Sequence, residues 1–116
     1  MPIKSRYLFT AAMDVEADKD AIFNEVYDKE HVPSLLEVPG VIAVARFKRR
    51  ELEMFIGGER RKIVIEGEPT YTAIYEVESP SVLVTPQWAA AVEKGRWPGQ
   101  VRPYTKNRRH VMWEKV

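Results

Sequence analysis

A histidine at the end of an amphipathic segment is the most distinctive candidate for chemistry in this sequence. Phe23, Tyr27 and His31 follow one another at intervals of four residues, so a helix places them on one face. An imidazole has an unperturbed pKa of about 6.5 and can therefore exchange a proton near neutral pH. The pattern predicts a histidine beside aromatic rings, suited to proton transfer at a carbon next to a carbonyl group.

Two interpretations of His31 follow from the residues alone. In the first, the imidazole lines an apolar pocket and acts as a general acid or base. In the second, it only satisfies a carbonyl group at the helix end. Pro33 lacks an N–H and disfavours helical backbone at Val32, so the helix is expected to break or kink there, with a second short turn over residues 33–38.

Other side chains are candidates for binding a substrate. Tyr27 could hydrogen-bond a substrate oxygen, or simply pack in the core. Arg109 alternates with Val111 and Trp113 in the last predicted strand and could hold a carboxylate or phenolate, or be an ordinary strand-end charge. His110 is expected on the opposite face, at an interface or the surface. The remaining candidates for a cavity lining are aromatic: Tyr7, Phe9, Tyr71, Tyr75 and Trp88.

Composition excludes several classes of site. The 116 residues suit one domain spanning 1–116, and the net charge of +1 gives no strong attraction to nucleic acid or membranes. Cysteine is absent, which excludes disulfides, thiolate catalysis and cysteine-ligated metals. No second histidine or carboxylate is spaced to complete a metal site, and no phosphate-binding or dinucleotide motif occurs. We therefore expect neither a metal nor a cofactor.

The start of the sequence bears on localisation. Residues 1–14 contain no apolar stretch long enough for a signal peptide or a membrane span. The absence of cysteine is compatible with a reducing compartment. The expectation is a soluble cytoplasmic protein.

Hydrophobic patterning predicts the order β-α-β-β-α-β. Strands are expected at 6–14, 41–47 and 70–77 and within 104–116, with a first helix after residue 18 or 20. The second helix is expected to start at Ser79-Pro80, to break near Thr85 and to stop at Gly95, with a loop over 96–103. This order is typical of the ferredoxin-like α+β fold, an antiparallel sheet with two helices on one face.

An extended hairpin is predicted between the two middle strands. Gly57-Gly58 separates two charged runs and suits a two-residue turn. Pairing Ile56 with Glu59 sets Glu53 opposite Lys62 and Leu52 opposite Ile63, so opposite charges and aliphatic side chains meet across the strands.

The sheet is expected to mediate self-association. Its first two predicted strands are apolar on both faces, yet the helices cover only one. The other face needs a partner, and a second copy of the same sheet is the simplest one. The pattern therefore predicts a homodimer with two sheets packed face to face.

With these features the sequence resembles those of the EthD-like small bacterial proteins of the dimeric α+β-barrel superfamily. The resemblance rests on the series Phe23, Tyr27, His31, Pro33 and Leu35, followed by Val38-Pro39-Gly40. It is supported by 71–75, Ser79-Pro80, Trp88 and the run 101–103. It implies a dimer with a pocket between the helices and the sheet of each subunit. Related proteins include lactone isomerases, decarboxylases of polyketide-like aromatics and cofactor-independent monooxygenases.

Three functions are compared on this basis. The first is a cofactor-independent enzyme that uses His31 for acid–base chemistry on a small aromatic or lactone-type oxygenated molecule. The second is a carrier or sensor that binds a small ligand in the same pocket without chemistry. The third is nucleic-acid binding, since RNA-recognition domains share this order of elements. The basic runs at 46–50, 60–62 and 106–109 are balanced by nearby glutamates, and the third main strand lacks the glycine–aromatic frame of those domains, so no nucleic-acid partner is expected.

Overall fold

A four-stranded antiparallel sheet is the main layer of the protein. The structure, a computed structural model, describes residues 3–116. The strands in chain order are β1 (Tyr7–Val15), β2 (Val41–Lys48), β3 (Leu52–Ile56), β4 (Glu59–Ile63), β5 (Tyr71–Val77) and β6 (Thr105–Glu114). The main sheet has the order β2-β5-β1-β6, and β3 pairs only with β4. This is the predicted ferredoxin-like order, with the hairpin inserted between its second and third strands.

The first helical segment runs through Pro33 without a break. Helix α1 (Asp20–Val26) continues as a π-helical turn, Tyr27–His31, and then as α2 (Val32–Leu36). Val32 has helical angles of −60° and −49°, and its N–H bonds to the carbonyl of Tyr27. The sequence predicted a break or kink at Pro33, and a break was wrong because the wider π turn relieves the clash that a proline ring causes in a regular α-helix. The second short turn expected from Pro33 is present as α2, with the proline in its first turn.

The second helical region begins and is interrupted at the positions that the sequence predicts. A 3₁₀ turn, Pro80–Val84, precedes α3 (Pro86–Ala91), and the side chain of Thr85 caps α3 by accepting a hydrogen bond from the N–H of Trp88 at 3.2 Å. The break expected near Thr85 is confirmed. The loop expected at 96–103 was wrong, because Trp97–Val101 forms a π-helical turn and Arg102–Tyr104 a 3₁₀ turn.

One face of the sheet packs against the helices and forms the core. Side chains alternate along each strand, so Phe9 of β1 and Tyr71 and Tyr75 of β5 point towards the helices, where Phe23 and Tyr27 are fully or almost fully buried. No helix within residues 3–116 is long and apolar enough to cross a membrane.

The opposite face of the main sheet is uncovered and largely apolar, although Glu76 and Arg109 also lie on it. It carries Leu8, Ala45, Ile74 and Val111, with Trp113 at one side. Phe47 and Trp113 are 54% and 55% exposed. This is the face for which the sequence predicts a second copy of the chain.

The hairpin forms in the predicted register. Ile56 pairs with Glu59, and Leu52 pairs with Ile63. Gly57 and Gly58 both have positive φ, as the tight turn requires. The charges of this hairpin are paired within it, as Arg60 with Glu53, Arg61 with Glu59 and Lys62 with Glu51.

The turn before β2 offers a first test of the fold. Gly40 has φ +94°, and a Cβ there would lie 2.5 Å from Cγ2 of the buried Val82. We expect Gly40→Ala to lower the free energy of unfolding by roughly 2–4 kcal/mol, from backbone strain together with overpacking. Gly58→Ala is the matched control, since its φ is +81° but no atom lies within 4 Å. Urea denaturation should show a much smaller loss for Gly58→Ala, and equal losses would contradict the steric argument.

Candidate functional site

A cavity of about 350 Å³ lies between the helical segments and the main sheet. Aromatic and aliphatic side chains form most of its wall, and two arginines, two histidines and two tyrosine hydroxyls supply polar groups. No carboxylate within residues 3–116 lines it. Its size and mixed lining are those of a site for a small organic ligand.

His31 is held in this wall between two aromatic rings. Its ring stacks on Trp97 with centroids 4.1 Å apart and an interplanar angle of 15°, and Tyr27 meets it edge-on at 5.1 Å. The residue is 6% exposed. The π turn and the aromatic contacts therefore fix the imidazole on the cavity wall.

One of the two ring nitrogens of His31, Nδ1, is buried without a hydrogen bond to any of residues 3–116. Burial, assisted by the nearby charge of Arg102 and opposed by that of Glu93, lowers the pKa of His31 to about 4. The imidazole is therefore neutral at physiological pH and can accept a proton or a hydrogen bond.

Two tyrosines form a hydroxyl pair in the same cavity. The hydroxyl oxygens of Tyr27 and Tyr75 lie 2.9 Å apart. Burial raises the pKa of both, above all that of Tyr75, so both remain protonated at neutral pH. The Arg46 guanidinium lies 4.4 Å from the centre of the Tyr27 ring and bonds to Asp28 and Asn24, which locks the position of that ring.

Trp97 is a lining residue that the sequence reasoning missed. Its turn is anchored to the first helical segment by Glu30, which accepts hydrogen bonds from the Arg96 backbone N–H at 2.9 Å and from Arg96 Nε at 2.6 Å. These bonds lower the pKa of Glu30. The available signal was an aromatic residue between Gly95 and Pro98, but periodicity does not detect an isolated turn.

The sheet side of the cavity is cationic. Arg108 and His110 of β6 line it together with Arg102. The His110 ring stacks on Phe9 with centroids 5.9 Å apart, and burial together with the charge of Arg108 lowers its pKa. As predicted, His110 is exposed and lies on the face of β6 opposite to Arg109; its place in the cavity wall was not predicted.

The structure brings together only part of the predicted set. Five of the candidates line the cavity: His31, Tyr27, Phe9, Tyr75 and Trp88.

Three candidates lie elsewhere. Tyr7 is beside Arg6 near the start of β1. The hydroxyl of Tyr71 donates a hydrogen bond of 2.6 Å to Asp20, the first residue of α1. Arg109 is on the uncovered sheet face, where it pairs with Glu68 at 3.3 Å and donates to the Gly67 carbonyl at 3.1 Å. The alternation of Arg109 with Val111 and Trp113 was correct, but the cavity is on the opposite side of the strand from all three. No group of three or more metal-ligating side chains is found within residues 3–116.

Comparison with known proteins establishes the fold. No protein-family model and no curated protein sequence matches this chain. Among solved structures, a heme-degrading protein from Mycobacterium tuberculosis, MhuD, has a TM-score of 0.61 and 14% identity over 95% of each chain. An EthD family protein from Bacillus halodurans has a TM-score of 0.56 and 11% identity, covering 95% of this chain and 99% of the other. A dimeric ferredoxin-like protein of unknown function from Thermobifida fusca has 0.55 and 11%, over 99% and 96%.

The fold is ferredoxin-like. The predicted α+β class, with an antiparallel sheet covered by helices on one face, is confirmed. The presence of an EthD family protein among these structures agrees with the resemblance read from the sequence, at the level of the fold.

Proposed function

We propose that the protein is a small-molecule enzyme in which His31 accepts a proton from an aromatic or lactone-type oxygenated substrate. The observation that carries this proposal is the position of His31, a neutral imidazole held on the cavity wall between Tyr27 and Trp97. A neutral imidazole on the wall of an aromatic cavity is a group that can accept a proton from a molecule bound there.

The protonation states suit this role. With a pKa of about 4, His31 is unprotonated at neutral pH and ready to act as a base. A base works best when its pKa approaches the working pH. Negative charge that develops on a substrate next to His31 favours the imidazolium and raises that pKa during the reaction.

The tyrosine pair supplies a donor beside the base. Tyr27 and Tyr75 share one hydrogen bond at 2.9 Å, in which only one hydroxyl hydrogen is used. The other hydrogen is available to a carbonyl or enolate oxygen of the substrate. Trp97 and Trp88 close the cavity around such a molecule and lower the local dielectric, which strengthens this hydrogen bond.

Several proteins of this fold act on or bind small molecules. The M. tuberculosis protein degrades heme, and a protein from Nitrosomonas europaea with a TM-score of 0.52 and 15% identity, covering 95% of this chain and 98% of the other, is a putative antibiotic biosynthesis monooxygenase. These relations support an activity on a small molecule but do not specify the reaction. A cavity of about 350 Å³ lies at the lower end of the range for organic ligands. A heme macrocycle is too large for this volume, so the proposed reaction uses no heme.

We also propose that the protein works as a homodimer, with the uncovered sheet faces packed on one another. The apolar side chains of that face support this arrangement, as does the dimeric state of the T. fusca protein. The cavity of each subunit then lies on the far side of its sheet and is complete within one chain.

A ligand screen tests the role of His31. Aromatic acids, quinones, phenolic polyketides and lactones are screened by thermal shift against the wild type and His31→Phe, which keeps a ring beside Trp97 but removes both nitrogens. At 100 times Kd a ligand stabilises the wild type by about 2.7 kcal/mol, and a tenfold weaker Kd in the variant halves that gain. His110→Phe, which changes the sheet side of the same cavity, shows which of these shifts depend on His31 in particular. Equal shifts in the wild type and His31→Phe for every ligand would contradict a ligand at His31.

Turnover separates an enzyme from a carrier or sensor. Each ligand from the screen is incubated with the wild type and analysed by liquid chromatography with mass spectrometry. Conversion that is lost in His31→Phe supports the enzyme. Reversible binding without conversion of any ligand supports the carrier.

A further inference from the structure

One arginine in the cavity wall has no ionic partner. Arg108 takes part in none of the ion pairs formed among residues 3–116. Its Nε donates to Thr105 Oγ1 at 2.8 Å and its Nη2 to the Arg102 carbonyl at 2.8 Å. These two bonds hold the guanidinium in place, while the remaining N–H groups have no acceptor in the described chain.

The second arginine of the wall is already neutralised. Arg102 forms a bidentate ion pair with Glu93 and donates a hydrogen bond to the carbonyl of Val92 at 2.8 Å. Its charge lowers the pKa of His31, but its N–H groups are directed to these partners. Arg108 is therefore the group of the wall with donors to spare for an anion.

The charge around the cavity is locally positive although the whole chain is nearly neutral. Arg102 and Arg108 line the cavity and no described carboxylate does, while the net charge of the sequence is only +1. The rest of the lining is largely aromatic, with Phe9, Trp88 and Trp97 among its members. A planar apolar body with one negative group complements this surface.

We propose that the cavity selects an anionic aromatic molecule, whose carboxylate or phenolate is bound by Arg108. This inference rests on the proposed function and narrows its substrate class. A guanidinium binds a carboxylate through two parallel N–H···O bonds. Burial and, after it, the charge of Arg102 make protonation of His31 unfavourable; a bound anion offsets the second of these effects and so favours proton uptake by the base.

Matched probes and matched variants test the inference. The probes are 1-naphthoate and 1-naphthamide, which differ in charge but hardly in shape. Isothermal titration calorimetry at pH 7.5 is carried out with the wild type, Arg108→Gln and Arg109→Gln. Arg109 is the adjacent arginine on the opposite face of the sheet, so Arg109→Gln removes the same charge without touching the cavity.

The wild type should bind 1-naphthoate about tenfold more tightly than 1-naphthamide, a typical effect of one charge-assisted hydrogen-bonded pair. Arg108→Gln should remove this difference by weakening the acid and not the amide. Arg109→Gln should bind as the wild type does. Arg108→Lys keeps the positive charge but loses the planar guanidinium that forms two parallel hydrogen bonds, so its affinity for 1-naphthoate should be intermediate. It replaces Arg108→Gln as the test variant if Arg108→Gln does not fold.

Three results would overturn the inference. Unchanged 1-naphthoate affinity in Arg108→Gln would mean that this arginine is merely solvated, and equal weakening in Arg109→Gln would show a long-range effect of net charge. Absence of naphthoate binding to the wild type would also refute it. Equal binding of both probes that is weakened in His31→Phe would overturn anion selection while supporting the ligand at His31, so the two proposals fail separately.

Discussion

Replacing His31 by phenylalanine should make the protein more resistant to acid. The difference in free energy of unfolding between His31→Phe and the wild type should grow in favour of the variant by about 2 kcal/mol between pH 7.5 and pH 5, and by about 3 kcal/mol at pH 4. The cause is the pKa of His31, which burial lowers to about 4 from its ordinary value of 6.5.

The sign follows from proton uptake. In the unfolded chain His31 takes up a proton as the pH falls through about 6.5, whereas in the folded protein it stays neutral down to about pH 4. Between these values the unfolded state binds more protons, so acid favours unfolding. The stabilising effect of the neutral imidazole is complete above pH 6.5 and is lost progressively towards pH 4. Phenylalanine does not titrate, and other groups largely cancel in the difference.

Urea denaturation at a series of pH values and one protein concentration measures this difference. His110→Phe is the control: the pKa of His110 is also lowered, but this residue is far more exposed, so its pH effect should be smaller. The sequence contains only two histidines, so NMR titration of His110→Phe also reports the pKa of His31 directly. A His31 pKa near 6.5, or a stability difference that does not change with pH, would show that water reaches the imidazole freely.

The sequence predicted the helix face of the site because helical spacing is a local property. Phe23, Tyr27 and His31 are adjacent along the segment as expected, with Phe23 and Tyr27 5.5 Å apart between ring centroids. The effect of Pro33 was misjudged because local preference disfavours helix before a proline, whereas the packed neighbours retain it by widening the preceding turn. Local preference and tertiary packing competed there, and packing prevailed.

The sheet side of the site could not be predicted in the same way. Alternation shows which residues of β6 share a face, but the face that meets the helices is set by the pairing of β6 with β1, in which Ala11 is opposite His110 and Ala12 opposite Arg109. Asn107 has φ +53° near an irregularity in this pairing, a feature that alternation does not anticipate. For this reason the sequence pattern pointed to Arg109 as the ligand-binding arginine, whereas the structure shows Arg108 in the cavity wall.

The uncovered sheet face gives the other large prediction, because a charge placed at its centre should separate the proposed dimer. Ile74 lies on this face in the central strand β5, beside Ala45 and Thr10. In the monomer a glutamate there reaches water, but face-to-face packing buries it. Burial of an unpaired carboxylate costs several kcal/mol, and a two-fold interface contains each substitution twice. We expect Ile74→Glu to raise the dimer dissociation constant by at least about 100-fold.

Sedimentation velocity over a dilution series measures this effect, with circular dichroism to verify folding. Val84→Glu is the matched control, since Val84 is 84% exposed at the end of the 3₁₀ turn before α3 and should leave the dimer unchanged. A wild type that is monomeric at micromolar concentration, or an Ile74→Glu variant that remains dimeric, would refute face-to-face packing. Because the cavity is lined by a single chain on the other side of the sheet, a folded Ile74→Glu monomer should still bind the ligands found with the wild type. Loss of that binding would mean that the second subunit holds the cavity in shape, which would connect the two faces of the sheet in one function.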